Sequence, residues 1–179
     1  YTYDALNRIK TASGLSTTNY DVSNISYDRN GNILTLNRKG HINAAATSFG
    51  DMELLDYSYS GNQLIKVDDT AVNDQFGFKD DTIGSSPDGN LDYQYDVNGN
   101  LISDTNKNIT NISYNYLNLP TSIDIDSGNI SYIYNAWGIK IQKTVSTGSV
   151  IKDYNGNYIY ENGQLQLFYQ SEGYTSPNS

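Results

Sequence analysis

Acidic residues have the widest chemical scope in this chain. Asp and Glu number 20 against 11 Lys and Arg, and the acids recur in short phrases. Two phrases are Asp28-Arg29-Asn30-Gly31-Asn32 and Asp96-Val97-Asn98-Gly99-Asn100, and two are the pairs Asp68-Asp69 and Asp80-Asp81. Paired carboxylates can divide acid and base roles in hydrolysis. The Asp-x-Asn-Gly-Asn phrase offers the oxygen ligands of a calcium loop, but its spacing is wrong. An EF-hand loop puts Gly sixth and closes on Glu at the twelfth position, whereas here Gly comes fourth and no Glu closes the loop. The Asp-Asp pairs read as solvated charge on loops rather than as an acid/base dyad. His41 is the sole histidine, and a lone His makes neither a triad nor a tetrahedral metal site. With no Cys there is no thiol nucleophile and no disulfide framework. The expectation is a chain that is not an enzyme and takes no cofactor and no metal.

A turn explains the Asn-Gly phrases better. In Leu91-Asp92-Tyr93-Gln94-Tyr95-Asp96-Val97-Asn98-Gly99-Asn100-Leu101-Ile102, the tyrosines lie two apart and so share one face of an extended chain. Asn98-Gly99 tolerates positive φ, which points to a type I′ hairpin turn, and Leu101 opens the return strand. The Asp after Tyr is placed to accept backbone N–H groups in that turn. One hairpin of this size is marginally stable alone.

The phrase is repeated along the chain. Copies run through Tyr3-Asp4 with Asn7, through Tyr27-Asp28 with Gly31, through Tyr57-Ser58-Tyr59-Ser60-Gly61, through Tyr116, and through Tyr134 with Gly138. Taking the Tyr before each turn as the mark, copies fall at 3, 27, 59, 95, 116 and 134. Spacings in this range are those of a repeat architecture in which each unit completes its neighbour's core. Helical periodicity is nearly absent, so the expected fold class is all-β, with successive antiparallel hairpins in one continuous, strongly curved sheet. Tyr3, Tyr59, Tyr95, Tyr116 and Tyr134 are expected to stack in register between repeats. Residues 39–52 read as an insert with one helical turn, and residues 68–92 as the longest loop.

These residues carry a resemblance. The pattern Tyr-x-Tyr-Asp-x-x-Gly-x-Leu resembles the YD repeat of the RHS (rearrangement hotspot) family and its teneurin relatives. Tyr93, Tyr95, Asp96, Gly99 and Leu101 match it fully. The copy at Tyr27 has Ile25 at the first Tyr position, and the first copy has Asn7 for Gly. Tyr59 is followed by Ser60, and Tyr116 by Leu117, with Pro120 at the Gly position. The tail from Asp153-Tyr154 to Glu172-Gly173-Tyr174 resembles the start of the RHS-associated core in Bacteroidetes members. The resemblance thus divides the chain into a repeat region, 1–153, and the beginning of that core, 154–179, in one continuous unit. It implies a spiralling β-shell that encloses a toxin or other C-terminal domain, in a bacterial protein that is secreted or displayed at the cell surface. The rest of the parent protein and its enclosed domain would be the partners. The family's Pro-containing self-cleavage motif and following toxin do not occur within these residues.

Composition bounds the rest. A net charge of −9 with scattered basic residues argues against nucleic acid. No apolar run is long enough to cross a bilayer as a helix, so no membrane insertion is expected. Seventeen tyrosines make a Tyr-built interior the natural one. Trp137 sits at a repeat turn, where it either plugs the gap between adjacent turns or stacks on a sugar ring, and packing is the favoured reading. Glycan binding at a cell surface is the alternative function; hydrolysis by paired carboxylates ranks last. The strands Tyr1 to Asp4 and Gln164 to Tyr169 are expected to be open edges that invite edge-to-edge self-association.

Overall fold

The computed structural model describes residues 1–14, 18–71, 75–81, 90–126 and 128–177. The fold is all-β and antiparallel, as alternating apolar and polar residues between turn signals require. Backbone contacts divide the chain into two units, Tyr1–Gln94 and Tyr95–Ser179.

The first unit opens with the pair β1 (Thr2–Tyr3) and β2 (Ile9–Thr11), followed by a four-stranded sheet. That sheet runs β3 (Val22–Tyr27), β4 (Ile33–His41), β5 (Phe49–Ser60) and β6 (Gln63–Asp69), in chain order. Ile25, Met52, Leu55, Val67 and Ala71 form its buried apolar core. Met52 fits because its neighbours are small. A Cβ on Gly40 would lie 2.6 Å from the Met52 sulfur, and one on Gly77 would lie 2.6 Å from the Met52 carbonyl oxygen. Glu53 is buried against Arg38, which reaches it through both Nε and Nη2. Lys66 and Asp68 form a second buried ion pair at 2.9 Å.

Of the two acidic pairs, Asp81 is exposed as expected, while Asp68, Asp69 and Asp80 are not, and Asp92 joins them. Asp68 and Asp69 lie in β6, and Asp68, Asp69, Asp80 and Asp92 are all buried rather than solvated. The reason is the open edge of β6. The Val67 N–H donates to Asp92 Oδ2 at 2.7 Å, and the Asp69 N–H donates to Asp80 Oδ2 at 2.7 Å. Residues 67 and 69 are alternate positions, so both N–H groups point to the same side of the strand. The Asp92 N–H returns a bond to the Ile65 carbonyl. Two carboxylates therefore stand in for the carbonyls of a missing neighbour and close a strand edge. Of the expected long loop 68–92, residues 72–74 and 82–89 lie outside the described residues.

The second unit is dominated by one sheet that follows the chain strand by strand. It comprises β7 (Tyr93–Tyr95), β8 (Leu101–Asp104), β9 (Ile109–Tyr114), β10 (Pro120–Ile125) and β11 (Gly128–Tyr134), then β12 (Lys140–Val145), β13 (Val150–Asn155), β14 (Tyr158–Glu161), β15 (Gln164–Gln170) and β16 (Gly173–Thr175). A single 3-10 turn, Thr105–Lys107, is capped by Asp104. Register sorts the two faces. Ile112, Ile123, Ile130, Val145 and Val150 align across five strands, while Ser113, Ser122, Ser131 and Thr144 align on the opposite face. Asn129 reaches Ser122 Oγ and Asp124 Oδ1, both at 2.7 Å, and ties that polar face together. Among the described residues of this unit only Ile112 and Asp104 are buried. Among the described residues of this unit no second layer covers the sheet.

Several expectations change here. The strands form three sheets among the described residues, not one. Residues 39–52 are the end of β4, a connection and the start of β5; their one turn, at 43–46, is closed by the Ala46 N–H on the Asn43 carbonyl. His41 ends β4, with its ring 4.8 Å from that of Phe76. The strand from Gln164 is not an edge, because β16 pairs with it.

If Asp92 closes β6, Asp92→Ala should strand a buried N–H and cost roughly 1–3 kcal/mol. Urea unfolding, with the midpoint lowered and the slope unchanged, checks this.

Candidate functional site

The repeated turn is built the same way in five places. At Asp4, Asp28 and Asp96 one carboxylate oxygen accepts the backbone N–H groups of residues two and four further on, at 2.8–2.9 Å. Asn115 and Asn135 do the same with their carboxamide oxygens, at 2.9–3.1 Å. The Asx carbonyl also accepts the N–H three residues on, and the Asx N–H donates to the carbonyl four residues on. Only the fourth residue has positive φ: Asn7 at 59°, Gly31 at 92°, Gly99 at 84°, Asn118 at 56° and Gly138 at 77°. These are therefore three-residue loops, each ending in a bulge, rather than the expected type I′ turns. The one φ-positive pair of neighbours in a two-residue turn is Asn162-Gly163.

This geometry also corrects the register of the fifth copy. Tyr114-Asn115 occupies the Tyr-Asp position and Asn118 the Gly position, so Tyr116 is a loop residue. The sequence held a signal for this: Asn24-Ile25-Ser26-Tyr27 recurs as Asn111-Ile112-Ser113-Tyr114.

Three pairs of neighbouring repeats are joined by a tyrosine hydroxyl. The Tyr27 hydroxyl donates to the Ile9 carbonyl at 2.7 Å, Tyr114 to Leu101 at 2.7 Å and Tyr134 to Pro120 at 2.9 Å. In each case the acceptor lies five residues after the preceding Asx. Burial raises the pKa of Tyr59, Tyr95, Tyr114 and Tyr134. A negative neighbour adds to it at three of them, from Asp28, Asp104 and Asp96 respectively. Tyr3, by contrast, is mostly exposed. Tyr134, expected to stack on a neighbouring repeat, instead has its ring 6.4 Å from that of Tyr132 in its own strand. The loops are joined as well. Asn30 and Asn32 both donate to Asn62 Oδ1, at 3.0 and 3.1 Å, and Asn98 and Asn100 both donate to Asn118 Oδ1, at 3.4 and 2.9 Å. Arg8 does this work in the first repeat, holding Asp4 at 2.7 Å, donating to the Asp28 carbonyl and lying over the Tyr27 ring.

The choice between Asp and Asn follows from residue i+4. Asp28 and Asp96 use their second oxygen to accept Asn32 and Asn100 Nδ2, and Asp4 uses it for Arg8. Where i+4 is Leu119 or Ile139, the turn residue is neutral Asn, which leaves no carboxylate oxygen without a donor. Among the described residues, Asn115 Nδ2 and Asn135 Nδ2 then have no partner. Both residues line a cleft of about 320 Å³ with Tyr116, Thr121, Tyr132 and Tyr134. Trp137 does not plug a gap: it is 83% exposed, and Tyr116 is 85% exposed. Space explains this, because a Cβ on the adjacent Gly138 would already lie 3.2 Å from Leu119 Cδ1 and 3.5 Å from Leu117 Cδ1. The gap between these loops is filled by leucine.

Among the described residues no group of three or more His, Asp and Glu side chains is placed to hold a metal ion. No helix of the described residues is long and apolar enough to cross a membrane. No protein-family model matches the chain, and no curated protein matches it.

Two expectations follow. Asn135→Asp should be destabilising, because residue 139 offers no side-chain donor to its second oxygen, and adding Ile139→Asn should recover much of the loss; a double-mutant cycle in urea checks the coupling. Acid should act in opposite senses on two sets of acids. The Arg8 N–H bond chiefly holds Asp4 below its ordinary 3.8, and the Asn100 side chain does so at Asp96. At Asp28 burial pushes upward, but the bonds from Asn32, Asn30 and Gly31 outweigh it. The stability these three contribute is present above 3.8 and is lost as pH falls through their lower folded values. Asp69 is raised by burial first and by Glu53 and Asp80 beside it. Its contribution runs the other way: acidification through its raised folded value stabilises the first unit. Thermal melts from neutral pH downward should show a shallow gain before the acid collapse.

Proposed function

We propose that the chain is a non-catalytic structural segment of an RHS/YD-repeat protein, part of a β-sheet shell around a toxin or effector domain. The proposal extends to a secreted or surface-displayed bacterial parent, whose remaining chain and enclosed domain are the partners. One observation carries the reading: the second unit is dominated by a sheet of ten strands in chain order, and among its described residues Ile112 alone is a buried apolar side chain. A sheet normally buries one face against another layer. A sheet with no second layer among the described residues of its own unit is suited to being a wall, with a polar side of Ser, Thr and Asn and an apolar side of Ile and Val. Cohesion along such a wall must come from neighbour to neighbour, and the Tyr hydroxyl bonds and Asn bridges supply it.

A specific observation supports the second reading, a neutral-glycan module. Trp137 and Tyr116 are exposed beside a cleft bearing two Asn side-chain N–H₂ groups and tyrosine rings. Aromatic faces with amide donors and no charge suit a sugar.

Limited proteolysis of the full-length parent separates the two. For a wall, the enclosed domain resists protease, and Tyr114→Phe with Tyr134→Phe, each costing roughly 0.5–1.5 kcal/mol, should expose it. Protection that is absent from the start overturns the shell. Trp137 is the only tryptophan, so a saturable change in its emission with neutral oligosaccharides would favour the glycan module instead.

A further inference from the structure

The chain holds four Asn-Gly pairs, at 30–31, 98–99, 155–156 and 162–163. Asn-Gly is the dipeptide most open to intramolecular amide attack, because Gly places no side chain in the path of its own nitrogen. The glycine N–H must be free to lose its proton, and the Asn side chain free to turn towards it. The four sites differ sharply on both counts.

In the two repeat turns both groups are engaged. The Gly31 N–H donates to the Asp28 carbonyl at 3.3 Å, and Gly99 to Asp96 at 3.0 Å. The Asn30 and Asn98 side chains are tethered to Asn62 and Asn118 of the adjoining loop. At the fourth pair the Asn162 carboxamide oxygen accepts the Ile151 N–H at 2.8 Å, and its own N–H donates to the Ile151 carbonyl at 2.8 Å. Asn155 is the exception. It ends β13 at the solvent-exposed hairpin to β14, and neither its side chain nor the Gly156 N–H has a hydrogen-bond partner among the described residues. A Cβ built on Gly156 would meet no atom within 4 Å, so nothing crowds the backbone there.

We infer that Asn155-Gly156 is a site of spontaneous covalent modification, while the repeat turns shield their own Asn-Gly pairs. The Gly156 nitrogen gives its proton to hydroxide and bonds to Asn155 Cγ. The Cγ–Nδ2 bond then breaks and, with a proton from water, the amide leaves as ammonia. Water opens the resulting five-membered imide at either carbonyl, giving aspartate or isoaspartate; one water is consumed, one ammonia is released, and nothing is oxidised. The isoaspartyl product adds a methylene to the main chain between the paired residues Asn155 and Tyr158. It also adds one negative charge at the hairpin end.

The test is to incubate the folded full chain at mildly alkaline pH and map peptides by mass, with an isoaspartyl methyltransferase and its methyl donor as the probe for the isoaspartyl form. Asn155 should convert about tenfold or more faster than Asn30 and Asn98, a barrier difference of about 1.4 kcal/mol. In urea the four sites should converge, because the protection lies in the fold. Asn155→Gln should abolish the fast phase and leave the thermal midpoint unchanged. Equal rates in the folded chain, or a persistent gap in urea, would overturn the inference.

Discussion

The repeated hairpins of this molecule depend on one oxygen accepting two backbone N–H groups. A hairpin loop of three residues leaves inward-pointing donors that no strand can reach, and the Asx side chain at its first position satisfies them. The same device recurs away from the repeats: Asn43 takes the Thr47 and Ser48 N–H groups, and Asp69 takes those of Leu54 and Ala71. The acidity of the chain is thus in good part architectural. Many of its carboxylates are backbone acceptors, which accounts for a net charge of −9 without calling on a basic partner.

The turn alone would give isolated hairpins. What links them is that three of the repeats hand a specific donor to the one before. Tyr27, Tyr114 and Tyr134 bond to the carbonyl five residues after the preceding Asx, so the link is fixed to the turn rather than to the length of the strands. Repeat spacing can therefore vary widely while the junction stays the same. A phenol suits the task because its ring covers apolar surface while its hydroxyl still reaches a main-chain oxygen.

Much of this could be read from residues. Alternation between Asn-Gly signals placed the hairpins, and the Tyr-Asp phrase marked the turns, because both signals are local. The misreadings are of three kinds. Turn type is not legible because Asn-Gly permits type I′, whereas the Asx oxygen two residues before the Asn pulls the chain into the longer form. The burial of Asp68, Asp69, Asp80 and Asp92 was missed because a carboxylate that closes a strand edge looks, in sequence, the same as one on a solvated loop. Trp137 failed for a third reason: the leucines 117 and 119 had already taken the space, which no pattern of spacing around Trp137 records. For the cleft, the informative sign was the loss of a donor at Leu119 and Ile139 together with the change from Asp to Asn.

Strict chain-order pairing in the large sheet has a mechanical meaning. From β7 to β16 every strand is bonded only to the strands before and after it in the chain. A pull on the C-terminal end therefore loads one hairpin at a time, opening its bonds in succession like a tear strip, instead of shearing a whole interface at once. Force needed at any moment is that of a single hairpin, and the strands upstream stay paired while it gives way. Closure is just as local, because each returning strand finds its partner a few residues away. Such a sheet can be drawn out and rewound from one end without losing its register.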